Sequence, residues 1–342
     1  MKRGLVVLDH DEIAVDEWAG RIEALQGDLR AADVDIALIY NDVSRGDDIG
    51  YLTNLVIYWN EGVLAVPAEG EATLLTKLSK RVHSWMRKTS TLTDLRSGRG
   101  FGGLVADYVA GLPAGTIGFI DAELWPAAIV QEIADAVPKW RTTRLGPLVH
   151  DRRALPSEAE LALLRTGSDV LREALGAAAA DGLDARERVA ILEGIARRGG
   201  FVDVLLRSTD EDGHVTVEAA GEYRHGWLLI GRTFGAEPWL PALVDAQRAA
   251  LAAVRPGVEW SAVGAAAAPA LAVLPPDSVT SLRWISQADF ATGGELQPPA
   301  DAGPAEGEVI GVVLEVVDAA SVRSVLTDTV LVTAAGITPL TF

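Results

Sequence analysis

The stretch VTVEAAGEYRHGWLLIGRTFG, residues 215–235, holds a carboxylate and an imidazole seven residues apart, Glu218 and His225. A carboxylate held in apolar surroundings has its pKa raised and can exchange a proton near neutral pH, and histidine is its natural partner. Each residue also has a plainer use. Glu218 can pair with Arg224 or Arg232, and His225 adjoins a turn and can be solvated. Arg232 reads as a structural tie between strands. His214 falls in the polar turn DEDGH and is expected to be exposed, while His10, His83 and His150 have no neighbours that point to chemistry. The glycine-rich SGRGFGG, residues 97–103, does not read as the strand–loop–helix unit that cradles a phosphate, so a flexible loop is expected there.

The elements that must position these groups come from a chain of 342 residues, long enough for two domains with separate cores. A net charge of −18, with no dense Lys/Arg cluster, argues against nucleic acid as a partner. The absence of cysteine excludes disulfides, thiolate metal sites and a thiol nucleophile. No apolar run is long enough to span a membrane. The opening MKRGLVVLDHDEIAVDEW has too short an apolar run for a secretory leader, so a cytoplasmic protein is expected. No motif calls for a cofactor.

Buried strands are expected at 34–40, 62–67, 72–76 and 116–121, and helices at 16–32, 77–88, 103–112 and 125–137. That alternation gives an α/β domain over 1–148, followed by a polar, proline-broken linker at 149–156. A second domain, 157–342, opens with Ser157 and Glu160 in the spacing of a capping box. A helix from Asp184 to about 198, strands near 213–220 and 225–234, helices 241–254 and 260–274, and strands 308–318 and 327–333 follow. Helices beside a mainly antiparallel sheet make this half α+β.

The order of pieces resembles the creatinase/prolidase/aminopeptidase P family and its pita-bread fold. The resemblance rests on DVDIALIYNDVSRGDDIGYLTNL, RRALPSEAELALLRTGSDVLREAL, GWLLIGRTFG, AEGEVIGVVLEVV and TDTVLVTAAGITPLT, in the family's order. It implies a homodimer. It also implies two divalent metals held by two Asp, one His and two Glu. Carried over by position, those ligands fall on Glu218, Leu229, a residue near Ala288 (just before GELQPP), Val313 and Thr327. One carboxylate in five cannot offset two dications, so the resemblance points away from a dimetal peptidase.

Strand alternation then extends the pocket. If Leu229 and Val313 face it, so do His225 and Trp227, and Glu315. Trp284, Gln287 and Asp289 are expected to close one side. The expectation is a metal-free enzyme acting on a small polar substrate, by C–N bond hydrolysis or a related elimination or cyclisation. Glu218 and His225 would be its acid–base pair and Glu315 an anchor. Trp227, Leu229, Trp284, Asp289, Val313 and Thr327 would bind the substrate. The alternative is a non-catalytic pita-bread protein that binds a peptide or small molecule.

Overall fold

The computed structural model describes residues 8–58, 60–292 and 302–342, and the chain divides into two compact units, Met1–Arg153 and Ala154–Phe342. The GELQPP segment lies outside the described residues.

The first unit is a six-stranded mixed sheet between two helical layers. Its strands are β1 (Ile36–Asn41), β2 (Gly62–Pro67), β3 (Thr73–Thr76), β4 (Asp94–Ser97), β5 (Thr116–Ile120) and β6 (Arg141–Leu145), in the order β4-β3-β2-β1-β5-β6. β1 pairs parallel with β5 and antiparallel with β2. α1 (Val15–Ala31), α2 (Asp47–Thr53), α3 (His83–Thr89) and α6 (Leu148–Arg153) contribute to the core that holds Leu25, Leu52, Met86 and Val149. α4 (Phe101–Tyr108) and α5 (Ala127–Ala136) contribute to the core on the other side, through Phe101, Val105 and Ile133.

The expected linker is helical up to Arg153. Val149 is buried, and Arg153 bridges Asp47 at 3.0 Å and Asp48 at 2.9 Å, so this segment belongs to the first unit. β4 and β6 escaped the sequence reading because both are short and carry polar side chains on half-exposed edges.

The second unit is a seven-stranded antiparallel sheet. It comprises β7 (Phe201–Glu211), β8 (His214–Tyr223), β9 (Gly226–Phe234), β10 (Val279–Ser286), β11 (Val309–Val317), β12 (Arg323–Thr333) and β13 (Gly336–Pro339). The order is β10-β11-β12-β9-β8-β7, with β13 beside β12. One face is covered by helices. α7 (Glu158–Ala178) and α8 (Ala185–Arg198) pack on Val215, Val217, Leu228 and Ile230. α9 (Leu240–Ala253) and α10 (Trp260–Leu271) pack on Val312, Leu314, Val316 and Val330. Both α7 and α8 start with complete capping boxes, Ser157 with Glu160 and Asp184 with Glu187. The opposite, inner face carries the site.

Candidate functional site

Directly paired residues of a sheet project to the same face, so register alone assembles this site. One row crosses six strands: Arg207 opposite Glu218, Glu218 opposite Gly231, Gly231 opposite Thr327, Thr327 opposite Val313, and Val313 opposite Arg283. The next row toward the hairpin end brings Leu205, Ala220 and Leu229 from one side and Gly311 and Ile285 from the other. A cavity of about 340 Å³ sits on this face, lined by residues of both rows and by Phe290 from the turn Gln287–Thr292. Arg207 and Arg283, from the two edge strands, both line it, so the sheet curls around the cavity.

The centre of the row is tightly packed. A Cβ on Gly231 would stand 2.9 Å from Thr327 Oγ1 and 3.2 Å from Glu218 Cγ. A Cβ on Gly311 would meet Leu229 Cδ2 at 2.9 Å. Both glycines are required by close approach rather than by turn geometry. Thr327 is buried, and its hydroxyl makes no hydrogen bond among the described residues.

The electrostatics are organised by Arg323. Its guanidinium donates to Glu218 Oε2 at 2.6 Å and to Glu315 Oε2 at 2.7 Å. Arg283 approaches Glu315 at 3.7 Å. Burial pushes the Glu315 carboxyl up, but the hydrogen bond and charge of Arg323, with the charges of Arg283 and Arg207, outweigh it and hold the group below its ordinary value. Burial likewise acts to lower the Arg323 guanidinium, and the two carboxylates reverse that. An acid of raised pKa is therefore not what Glu315 offers. It is an ionised carboxylate engaged by arginine.

The structure brings together some of the expected residues and separates others. Glu218, Leu229 and Val313 line the cavity, Thr327 lies in the same row, and Glu315 shares their face. Trp227 is on that face too, but it is 1 % exposed and packs with Ile285, Phe290, Val313 and Val325 as core. His225 sits in the two-residue turn between β8 and β9. Glu218 lies five strand residues before that turn, about 17 Å along the strand, so the two cannot form a hydrogen-bonded acid–base pair. Trp284 points to the helix-covered face, 6.2 Å from Trp260 ring to ring, because its neighbours Arg283 and Ile285 take the inner one. Gln287 and Asp289 lie in the turn Gln287–Thr292, whose contribution to the cavity is Phe290. Ala288 is buried.

The arginines were missed. Arg323 lies four residues before Thr327 on one strand, a parity that could have found it. Arg232 instead donates to Asp328 at 2.6 Å and to the Gly231 and Thr327 carbonyls, the structural tie expected of it.

Two other expectations are corrected. His214 is buried, with Nε2 2.8 Å from Ser324 Oγ and Nδ1 2.7 Å from Glu237. This has the order of a catalytic triad, but Ser324 is fully buried, so the set joins β8, β12 and the approach to α9. SGRGFGG does stand between a strand, β4, and a helix, α4. The anion at that helix start is the protein's own: Gly102 N–H donates to Glu132 Oε1 at 3.0 Å.

The positions where the resemblance places metal ligands offer one carboxylate already bound to Arg323, two hydrocarbon side chains, a hydroxyl and the Ala288 methyl. That donor set does not fit two divalent ions. Among the described residues no group of three His, Asp or Glu side chains gathers to hold a metal.

With fold and site in view, comparison places the chain. Residues 21–155 match the family model of the creatinase/prolidase N-terminal domain. The X-Pro aminopeptidase of Thermotoga maritima aligns over 94% of this chain and 97% of its own, with TM-score 0.76 and 16% identity. The Xaa-Pro dipeptidase of Bacillus anthracis aligns over 95% and 97%, with TM-score 0.75 and 16% identity. The dipeptidase PepE of Mycobacterium ulcerans aligns over 96% and 97%, with TM-score 0.70 and 20% identity. No curated protein sequence matches. The first unit matches the creatinase/prolidase N-terminal domain model, and the fold of the whole chain is that of the pita-bread structures it aligns with.

Proposed function

We propose that this chain is a metal-independent enzyme of the creatinase/prolidase fold that works on a small molecule in the inner-face cavity, breaking a C–N bond. The observation that supports this reading is the central row itself: Leu229, Val313 and Thr327 stand where the fold's relatives are expected to hold metal, and Glu218 is bound by Arg323 instead. Glu218 is the base, and it works without His225. It takes a proton either from a water that attacks the carbon of the C–N bond, or from a carbon next to it. In the first case the water oxygen bonds to that carbon, and in the second the C–H electron pair forms a new double bond; in both the C–N bond breaks and nitrogen leaves with its bonding pair, protonated by solvent. Arg283, which lines the cavity, stabilises the negative charge that develops in either course.

A panel of amides, amidines and amino-acid conjugates, followed by mass spectrometry, tests this. Turnover should survive chelator treatment and fall about 100-fold or more in Glu218→Gln. Full activity in that variant, or activity restored only by added metal, would overturn the assignment.

One observation favours a second, non-catalytic reading. Arg323 engages both carboxylates of the site. A pure binding protein would show saturable ligand binding and no product.

A further inference from the structure

We infer that the cavity takes a small organic monoanion with an apolar body and no free ammonium group, an aryl or branched-alkyl carboxylate seated on Arg207 or Arg283. This rests on the reading of the cavity as the place where a small molecule binds, and it names the chemical class of that molecule.

The charges of the cavity run against those of the protein. The whole chain carries −18, yet the inner face gathers Arg207, Arg283 and Arg323 around Glu218 and Glu315. In the cavity's own row and beside it, three guanidiniums stand against two carboxylates; Glu222 and Asp203, farther along the same face, are buried outside the cavity lining. Arg323 already sits on Oε2 of both carboxylates, at 2.6 and 2.7 Å, and Arg283 stands 3.7 Å from Glu315, so an added ammonium group would meet guanidinium charge beside either carboxylate. A zwitterion such as an amino acid or a dipeptide would bring a positive end that finds no counter-ion here. Burying that end unpaired is costly.

Donors for an anion line the cavity. Arg207 is exposed, lines the cavity, and makes no hydrogen bond or ion pair among the described residues. Arg283 reaches Glu315 only at 3.7 Å, beyond hydrogen-bond distance, so its fork of N–H groups is unspent. A guanidinium of this kind matches a carboxylate with two parallel hydrogen bonds.

The rest of the cavity rejects a fully polar ligand. Leu229, Ile285, Phe290 and Val313 form its apolar wall, with Ala220 beside them. Covering that wall with an aromatic ring or a branched chain supplies the hydrophobic part of the affinity. About 340 Å³ accommodates a molecule of this kind, at the small end of the usual range for ligand sites.

The test uses the full chain and three probes that share one ring: phenylacetate, phenethylamine and phenylalanine. Isothermal titration should rank phenylacetate about tenfold or more tighter than the other two. Its affinity should fall about fivefold or more in Arg207→Ala or in Arg283→Met, and should weaken as salt rises. Arg207 is exposed, so its variant keeps the fold, and it decides the matter should Arg283→Met not fold. Equal or tighter binding of either ammonium probe would overturn the inference. So would no phenylacetate binding at about 20 mM, or unchanged binding in both arginine variants. The two readings fail separately. Loss of the probe ranking leaves turnover by Glu218 standing, and unimpaired turnover in Glu218→Gln leaves the ranking standing.

Discussion

Arg323 donates to Glu218 and Glu315 while its own side chain is only 11% exposed. Removing it takes from Glu218 the ion pair it makes and leaves Glu315 with Arg283 alone, at 3.7 Å, and stripping a partly buried carboxylate of its partner costs more than the net worth of an ion pair. Arg323→Met should lower unfolding stability by about 2 kcal/mol at pH 7, measured by urea denaturation. The pH dependence has a defined sign. Glu315 titrates below its ordinary 4.5 in the folded protein. Its stabilising contribution is therefore present above that value and is lost as pH falls through the lower folded one. The deficit of Arg323→Met should shrink on acidification below about 4.5, as the unpaired carboxyls protonate. A deficit that stayed constant would mean the arginine acts by packing alone. At this scale strand parity made Glu218, Leu229, Val313 and Thr327 legible as one face. It could not say which arginine meets which glutamate, because that is set by the register of strands 105 residues apart.

The elements show where sequence reading works and where it stops. α7 and α8 announce themselves through capping boxes, and β11 and β12 through apolar runs. Between the helix ending near 198 and the strand near 213 the sequence shows no strand pattern, because the second half of β7 is polar and largely exposed, as suits the edge strand it is. Losing β7 hid Arg207, one end of the central row. A turn in the first unit carries its own prediction. Asp121 follows β5 in a left-handed conformation, φ 51°, and burial, then the nearby Asp48 charge, push its carboxyl up from 3.8 to about 6. Glu123 and Asp151 add to the rise, and His150 opposes it. A carboxyl raised in the folded state contributes stability that is full below 3.8 and lost as pH climbs through about 6. Asparagine tolerates the same backbone conformation and carries no charge. Asp121→Asn should therefore flatten the pH dependence of melting temperature between those values and raise the melting temperature above them. An unchanged slope would remove Asp121 as its source.

For the whole molecule, five short segments in the right order were enough to make the pita-bread architecture legible, although identity is only 14% to the Thermococcus sibiricus prolidase and 20% to the Mycobacterium ulcerans dipeptidase. Packing patterns outlast side-chain chemistry, because a core tolerates any hydrophobic residue of suitable volume. The site is legible in the opposite sense: on the proposed reading, Leu229, Val313 and Thr327 at the ligand positions would set this chain apart. Titration of the purified, chelator-treated protein with Mn²⁺, Co²⁺ and Zn²⁺, followed by elemental analysis and melting, tests that central claim most directly. The account predicts well under one ion per chain and no rise in melting temperature. About two equivalents bound, with a clear rise, would contradict it.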